Sequence, residues 1–269
     1  MSYLDKKIIS ILLISVIAIA GIGILYLTGN FPGVSRTVFH YERNVSDELS
    51  IKFQVSKIAD CEVDISFTDS ETLLFSIDLE LYEPGVDGED FLFYYRPTST
   101  PPSLNINYLK PDGTIWQGNP IRIKSMHVTF GSSIAVGMEF WECNNLTTSI
   151  EYNNGAILGR SLEYYANGTL SLIIDDSVDI SAIPDGIHII EIGNYHALPD
   201  MYPSSMYVDI DLPSGLHGYA NFNDAPTSIT TLTGWVHRGG SYYSTDVDLI
   251  PPRLSIDANV GVVSGSLVN

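Results

Sequence analysis

Carboxylates are the one group dense enough in this sequence to suggest a site. Asp175, Asp176 and Asp179 lie close together, Asp209 stands two residues from Asp211, and Asp246 two from Asp248. Side chains two apart on a strand share a face. Each set therefore offers several oxygens on one side, the ligand type that calcium takes together with turn carbonyls. The same spacing also describes a solvated acidic surface that keeps a protein apart from its neighbours. A glycosidase would need two carboxylates flanking a groove, and abundance of acids does not supply one. Other catalytic signatures are missing: there is no Gly-x-Ser-x-Gly elbow, no phosphate loop ending in Gly-Lys-Ser/Thr, and no His-Glu-x-x-His. The six histidines are scattered, and only His188 and His196 are near enough to meet across a turn. A non-enzymatic protein without a cofactor is the expectation, with Ca2+ the one ion its acids suit.

Two further residue types carry covalent chemistry. Cys61 and Cys143 are the two cysteines, an even count that permits one disulfide in an oxidising compartment and is equally met by two packed thiols. Glycosylation sequons occur at Asn44, Asn145 and Asn167, each in turn-like sequence. Thirteen Lys plus Arg stand against thirty-two Asp plus Glu, a net charge of −19. That balance leaves no basic footprint for nucleic acid and disfavours docking to acidic lipids.

The elements that must hold these groups are strands. Leu49 to Val55 places Leu, Ile, Phe and Val on one face and Ser, Lys and Gln on the other; Glu62 to Phe67 and Leu73 to Tyr82 repeat the pattern. Further apolar runs cover 91–95, 104–108, 121–130, 134–141, 161–165, 170–174, 187–192, 206–212, 228–236 and 254–268. Pro111-Asp112-Gly113 and Asn167-Gly168 separate pairs of runs and predict hairpins. The expected fold is all-β, a sandwich or a β-solenoid-like stack. Three prolines between Arg96 and Ser103 make that stretch the one candidate linker, or else a long loop within one domain.

Ahead of the strands stands a run of another kind. Ile8 to Leu27 is uncharged and follows Lys6 and Lys7; at 1.5 Å per residue its length matches a bilayer core of about 30 Å. The sequence predicts a cytoplasmic tail over 1–7, a single transmembrane helix over 8–28 and an extracytoplasmic β-rich body over 29–269. Ala18-Ile19-Ala20 has the form that a signal peptidase accepts, but the apolar run continues past it, which favours a retained anchor. A pilin-like leader is the remaining alternative.

Two stretches resemble each other at an offset of 205 residues. Leu49-Ser50-Ile51 aligns with Leu254-Ser255-Ile256, Val55 with Val260, and Val63 with Val268. The run 254–267, Leu-Ser-Ile-Asp-Ala-Asn-Val-Gly-Val-Val-Ser-Gly-Ser-Leu, resembles the strand repeats of the toast-rack and adhesin-like families, a type shared by cell-wall-active-antibiotics-response proteins. The stretch Leu49 to Phe75 similarly resembles membrane-anchored proteins of archaea. The resemblance implies stacked strands in a solenoid or sandwich, attached to the cytoplasmic membrane, and carries over no active-site residues. The expected function is thus an anchored, externally displayed structural or interaction protein whose partner is a cell-surface protein or carbohydrate. A calcium-dependent or carbohydrate-binding module is the alternative, which a groove lined by Trp116, Trp141 or Trp235 with paired acids would favour. A surface glycosidase ranks below it.

Overall fold

Apolar–polar alternation at period two obliges each run to bury one face, and the computed structural model shows how the runs are combined. It describes residues 38–56, 58, 60–81, 93–106, 123–159, 161–179, 187–193, 206–213, 216–222, 227–244, 253–259 and 263–268. The apolar run 8–27, Pro111-Asp112-Gly113, Trp116, His196, Asp246 and Asp248 lie outside these residues. In chain order the strands are β1 (Val38–Asn44), β2 (Ser50–Ser56), β3 (Glu62–Thr68), β4 (Leu73–Leu81), β5 (Phe93–Arg96), β6 (Ser103–Ile106), β7 (Ile123–Gly131), β8 (Ala135–Tyr152), β9 (Ser161–Ile174), β10 (Ile187–Gly193), β11 (Met206–Asp211), β12 (His217–Phe222), β13 (Thr227–Thr233), β14 (Trp235–Arg238), β15 (Ser241–Ser244), β16 (Arg253–Asn259) and β17 (Val263–Val268). All described regular structure is β. No helix among the described residues is long and apolar enough to cross a membrane.

The repeating unit is an angled layer of two limbs joined by a corner. Strands β8 and β9 each run through both limbs, whereas β2/β3, β6/β7, β10/β11, β12/β13 and β16/β17 supply one strand per limb. Parallel pairing stacks the layers in the order β6/β7, β2/β3, β8, β9, β10/β11, β16/β17, β12/β13. Antiparallel strands flank the ends: β5 on β6, β15 and then β14 on β12, and β4 followed by β1 on β7. The result is two sheets, one per limb, each with a parallel centre. The Arg96–Ser103 stretch is the connection between β5 and β6, both of which continue the sheet containing β2.

Stacking keeps equivalent side chains level from layer to layer. In the first limb Phe53, Met138, Leu162, Ile190, Ile256 and Ala220 form one row; in the second, Ile65, Ile150, Leu172, Ile210 and Leu267 form another. Both rows are buried. The two limbs then close on each other: Phe53 meets Phe130 edge-on at 5.7 Å between ring centroids, and the Thr148 and Tyr164 hydroxyls bond at 2.7 Å. Sandwich and solenoid therefore describe the same object, a sandwich whose two sheets are the limbs of stacked layers.

Chain order and layer order differ at both ends. The layer β2/β3 precedes β6/β7 in the chain yet inserts between it and β8. The carboxyl-terminal layer β16/β17 likewise inserts between β10/β11 and β12/β13. The two similar stretches thus occupy equivalent positions, each the second layer from its end of the stack. Their register is not the one their sequences suggest. The ladder carries Phe53, not Ile51, to the level of Ile256, and Ile65 to that of Leu267.

The expected hairpin at Asn167-Gly168 is also corrected. Strand β9 continues through it, and Gly168 forms the corner between limbs with φ +121°. A Cβ there would lie 2.0 Å from the Leu146 carbonyl oxygen of the neighbouring layer. The chain turns within its layer instead of reversing, because the next limb finds parallel partners in β8 and β11. Gly168→Ala combines a forbidden φ with that collision, so a loss of at least about 2 kcal/mol is expected in the denaturant midpoint of unfolding.

Leu254, Ile256 and Leu267 are fully buried between two layers. At about 1.5 to 3 kcal/mol each they are comparable with a domain's whole stability. A chain ending at Pro252 is expected to lose cooperative thermal unfolding; a melt within a few degrees of the full-length protein would show that this layer is dispensable.

Candidate functional site

The acids singled out by spacing are not gathered into one place. Asp175 accepts hydrogen bonds from the Ser177 amide (2.8 Å) and hydroxyl (2.5 Å) in the turn after β9, while Asp179 forms a bridge with Ile157. Asp176 is exposed in the same turn. Asp209 and Asp211 lie on β11, where Asp209 accepts a hydrogen bond from Ser266 of the adjacent layer. Asp175 and Asp209 are engaged locally, and among the described residues no group of three or more His, Cys, Asp or Glu is placed to hold a metal ion.

A different set of acids does converge, through stacking. Alternation puts Met138, Phe140, Leu162, Tyr164, Ile190 and Ile192 inside the first limb. The residues between them, Glu139, Glu163 and Glu191, share the outer face. Register carries this row from Gln54 through Glu139, Glu163 and Glu191 to Asp257 and Asn221. Adjacent strands are about 4.8 Å apart, so the carboxylates of Glu139, Glu163 and Glu191 stand one strand spacing from one another. Partners answer this at two points. Glu139 pairs with Lys52 and accepts a 2.6 Å hydrogen bond from Gln54, leaving it only 7% exposed. Tyr165 donates its hydroxyl proton to Glu191 at 2.8 Å. Glu163 lies between, and its pKa is raised by partial burial first and by the like charges of Glu139 and Glu191 next, with Lys52 opposing. One position along the row, half-buried Trp141 meets Tyr165 edge-on at 6.0 Å. Of the other expected tryptophans, Trp235 is 5% exposed, its ring stacked over the space where a Gly218 Cβ would stand.

Next to Glu139 the outer face is hollow. Gly137, level with Lys52, presents open space: a Cβ there would meet nothing within 4 Å. The hollow, about 320 Å3, is walled by Lys52 and Glu139 on one side and by Pro101 and Leu158 on the other. A broader concavity of about 630 Å3 shares Ser50 and Pro101 with it and extends past the 83% exposed Leu49 to Arg43 and Glu48. Glu48 is held in place there by bonds from the Ser46 amide (2.7 Å) and the Tyr95 hydroxyl (2.8 Å). Its pKa is lowered to about 2, the Ser46 bond being the largest cause. Sequence reasoning had no signal for this site, because its residues come from β2, β8, the segment before β9 and the β5–β6 connection.

The covalent candidates sit at corners. Cys61 and Cys143 are buried thiols at successive corners, each bonded to a nearby carbonyl: Cys61 to Glu62 at 3.4 Å and Cys143 to Trp141 at 3.3 Å. Burial, then the neighbouring Cys143, pushes the Cys61 thiol up to about 12, so Cys61 is not poised as a nucleophile. Asn145 is exposed with φ +53°, and its amide donates to Asp60 at 2.7 Å. Asn44 is exposed at the end of β1, and Asn167 lies at the β9 corner beside Gly168.

One histidine is fully inside. His188 bonds through Nδ1 to the Gly159 carbonyl, its Nε2 has no partner, and its ring stands 6.3 Å from that of Tyr152, whose hydroxyl is also without a partner. Neither atom belongs to a polar network that could hold a charge.

No family profile matches the chain, and no curated protein matches it. Two solved structures align with it: a proposed cell adhesion protein of Clostridium sporogenes, at 10% identity and TM-score 0.42 over 86% of this chain and 99% of that one, and a proposed adhesin of Bacteroides fragilis, at 10% identity and TM-score 0.31 over 87% and 99%.

Burial lowers the His188 pKa to about 4, the Gly159 bond opposing. The folded value is below the unfolded one of about 6.5, so stability is full above pH 6.5 and falls as the unfolded chain alone takes up the proton. Between pH 6.5 and 4 the wild type is expected to lose about 3 kcal/mol more than His188→Gln, read as the difference between their urea unfolding curves. Parallel pH profiles would show that the imidazole is not held neutral.

Proposed function

We propose that this protein is a single-pass, membrane-anchored interaction module whose β body is displayed outside the cytoplasmic membrane. The observation that carries the reading is the outer face of the first limb. There a rigid stack brings carboxylates, Trp141, Tyr165 and a glycine-floored hollow into one continuous surface. Parallel layers hold that surface from behind: every strand beneath it is bonded on both sides, so its side chains are presented on a backbone with little freedom to rearrange. Recognition by a preformed face needs no other machinery, and the role proposed is non-catalytic.

Anchoring and orientation rest on the sequence. Twenty uncharged residues, 8–27, follow Lys6 and Lys7, and a short tail before a large body suits export of the body. The acid-rich composition fits an outward surface, since like-charged bodies crowded on one membrane repel instead of associating. A calcium-dependent reading gains no support from the described acids, which are engaged in turns or stacked in a row. The hollow beside Glu139 is not lined by the tryptophans and paired acids expected of a carbohydrate site, so a carbohydrate-binding reading rests on its hydrogen-bonding groups and shape.

Protease added to intact cells is expected to remove the body and leave a short membrane-bound fragment, followed with an antibody to residues 253–268. A body that resists until the cells are lysed would place it on the cytoplasmic side.

A further inference from the structure

The hollow at Gly137 allows the interaction reading to be carried further, to the kind of molecule recognised. We propose that it binds one neutral pyranose unit of a surface glycan.

The argument is one of chemical matching. Six groups define the space: Ser50, Lys52, Pro101, Glu139, Leu158 and Ser161. Glu139 and Lys52 neutralise each other, and Gln54 fills a further acceptor site on the carboxylate. A free anion would have to displace Glu139 from its lysine, and a free cation would have to displace Lys52 from its carboxylate. Either exchange breaks a pair whose acid is nine-tenths buried, which is costly because one charge is left alone. A hydrocarbon would fit no better, since it would strip water from the Ser50 and Ser161 hydroxyls and from the donors that Lys52 does not give to Glu139. The occupant must be uncharged, must both donate and accept hydrogen bonds along one edge, and must show an apolar face to the exposed Pro101. A pyranose ring does all three: its hydroxyls can donate to Glu139 and accept from Lys52, with Ser50 and Ser161 able to do either. About 320 Å3 is at the small end of ligand sites, suited to one ring. The adjoining concavity past Leu49 leaves an open path for the rest of a chain.

Gly137 makes the inference testable without disturbing the fold. Its missing Cβ is what opens the space, and a Cβ added there meets no neighbour within 4 Å. Valine also suits a strand. Full-length protein, purified in a phosphocholine detergent that carries no sugar, is titrated by saturation-transfer NMR with the methyl glycosides of glucose, galactose, mannose and N-acetylglucosamine, and with methyl glucuronide and glucosamine as charged controls. The expected result is transfer to the ring protons of at least one neutral glycoside, weakened about tenfold or more in Gly137→Val at an unchanged melting temperature. If that variant melts lower, Ser161→Ala is the substitute and is expected to weaken the same glycoside. Absence of transfer from every glycoside, equal binding by the variants, or tighter binding of a charged control would overturn the proposal. Binding by purified protein does not depend on which side of the membrane the body lies, so a failure here is separable from a failure of the display experiment.

Discussion

Every feature of this molecule depends on one constraint, that a strand in a parallel stack must hold its apolar residues at the level set by its neighbours. A slip of one residue would turn Phe53, Phe140 and Tyr164 outward and bring Gln54, Glu139 and Glu163 into the core. The inner rows fix the register, and the outer rows follow from it without being selected for their own stability. Corners obey the same rule, because both limbs of a layer must stay level with both limbs of the next. Gly168, with its positive φ and its close approach to the Leu146 carbonyl, shows how little room that requirement leaves.

Much of this was legible in the sequence and some was not, for identifiable reasons. Alternation in Ile51–Val55 and Glu62–Phe67 reports burial directly, so those strands and their inward faces could be read from residue types alone, but Leu49, read onto the same inward face, stands before β2 and is 83% exposed, because the ladder that buries its neighbours begins at Ser50. The corner at Asn167-Gly168 could not. A glycine with positive φ serves a reversal and a corner equally well, and what separates them is whether the following strand finds a partner in its predecessor or in the layer beneath. Layer order was hidden in the same way. Nothing local to Arg253–Val268 says that it inserts between β10/β11 and β12/β13, and its likeness to the first layer reflects an equivalent position in the stack. The offset of that likeness misled by two residues in the first limb and three in the second, because short alternating strands match equally well at several registers.

The site was less legible than the fold. Acids two apart in sequence, such as Asp209 and Asp211, share a face of one strand, and attention to sequence spacing selects them. The acids that gather in space come from β8, β9 and β10, joined only by the ladder. Gly137 carries still less signal, for a glycine in a strand marks a bulge or a close approach more often than an opening. Only the neighbours reveal that nothing fills the space above it.

The carboxylate row shows what the inner register obliges the outer face to accept. Like charges directly opposite each other on paired strands are destabilising, and here Glu139, Glu163 and Glu191 follow one another across three layers. Moving any one of them by a single residue would relieve the repulsion, but only by breaking an apolar row worth far more. The row is instead relieved where partners can be supplied, by Lys52 and Gln54 at Glu139 and by Tyr165 at Glu191. Glu163, between them, has Lys52 as its one attractive charge against two like neighbours, and its pKa is raised by burial first and by that repulsion second. A surface whose charges are dictated by the core behind it is held in one arrangement, and a rigid surface of that kind binds through shape and matched hydrogen bonds, with no need to reorganise.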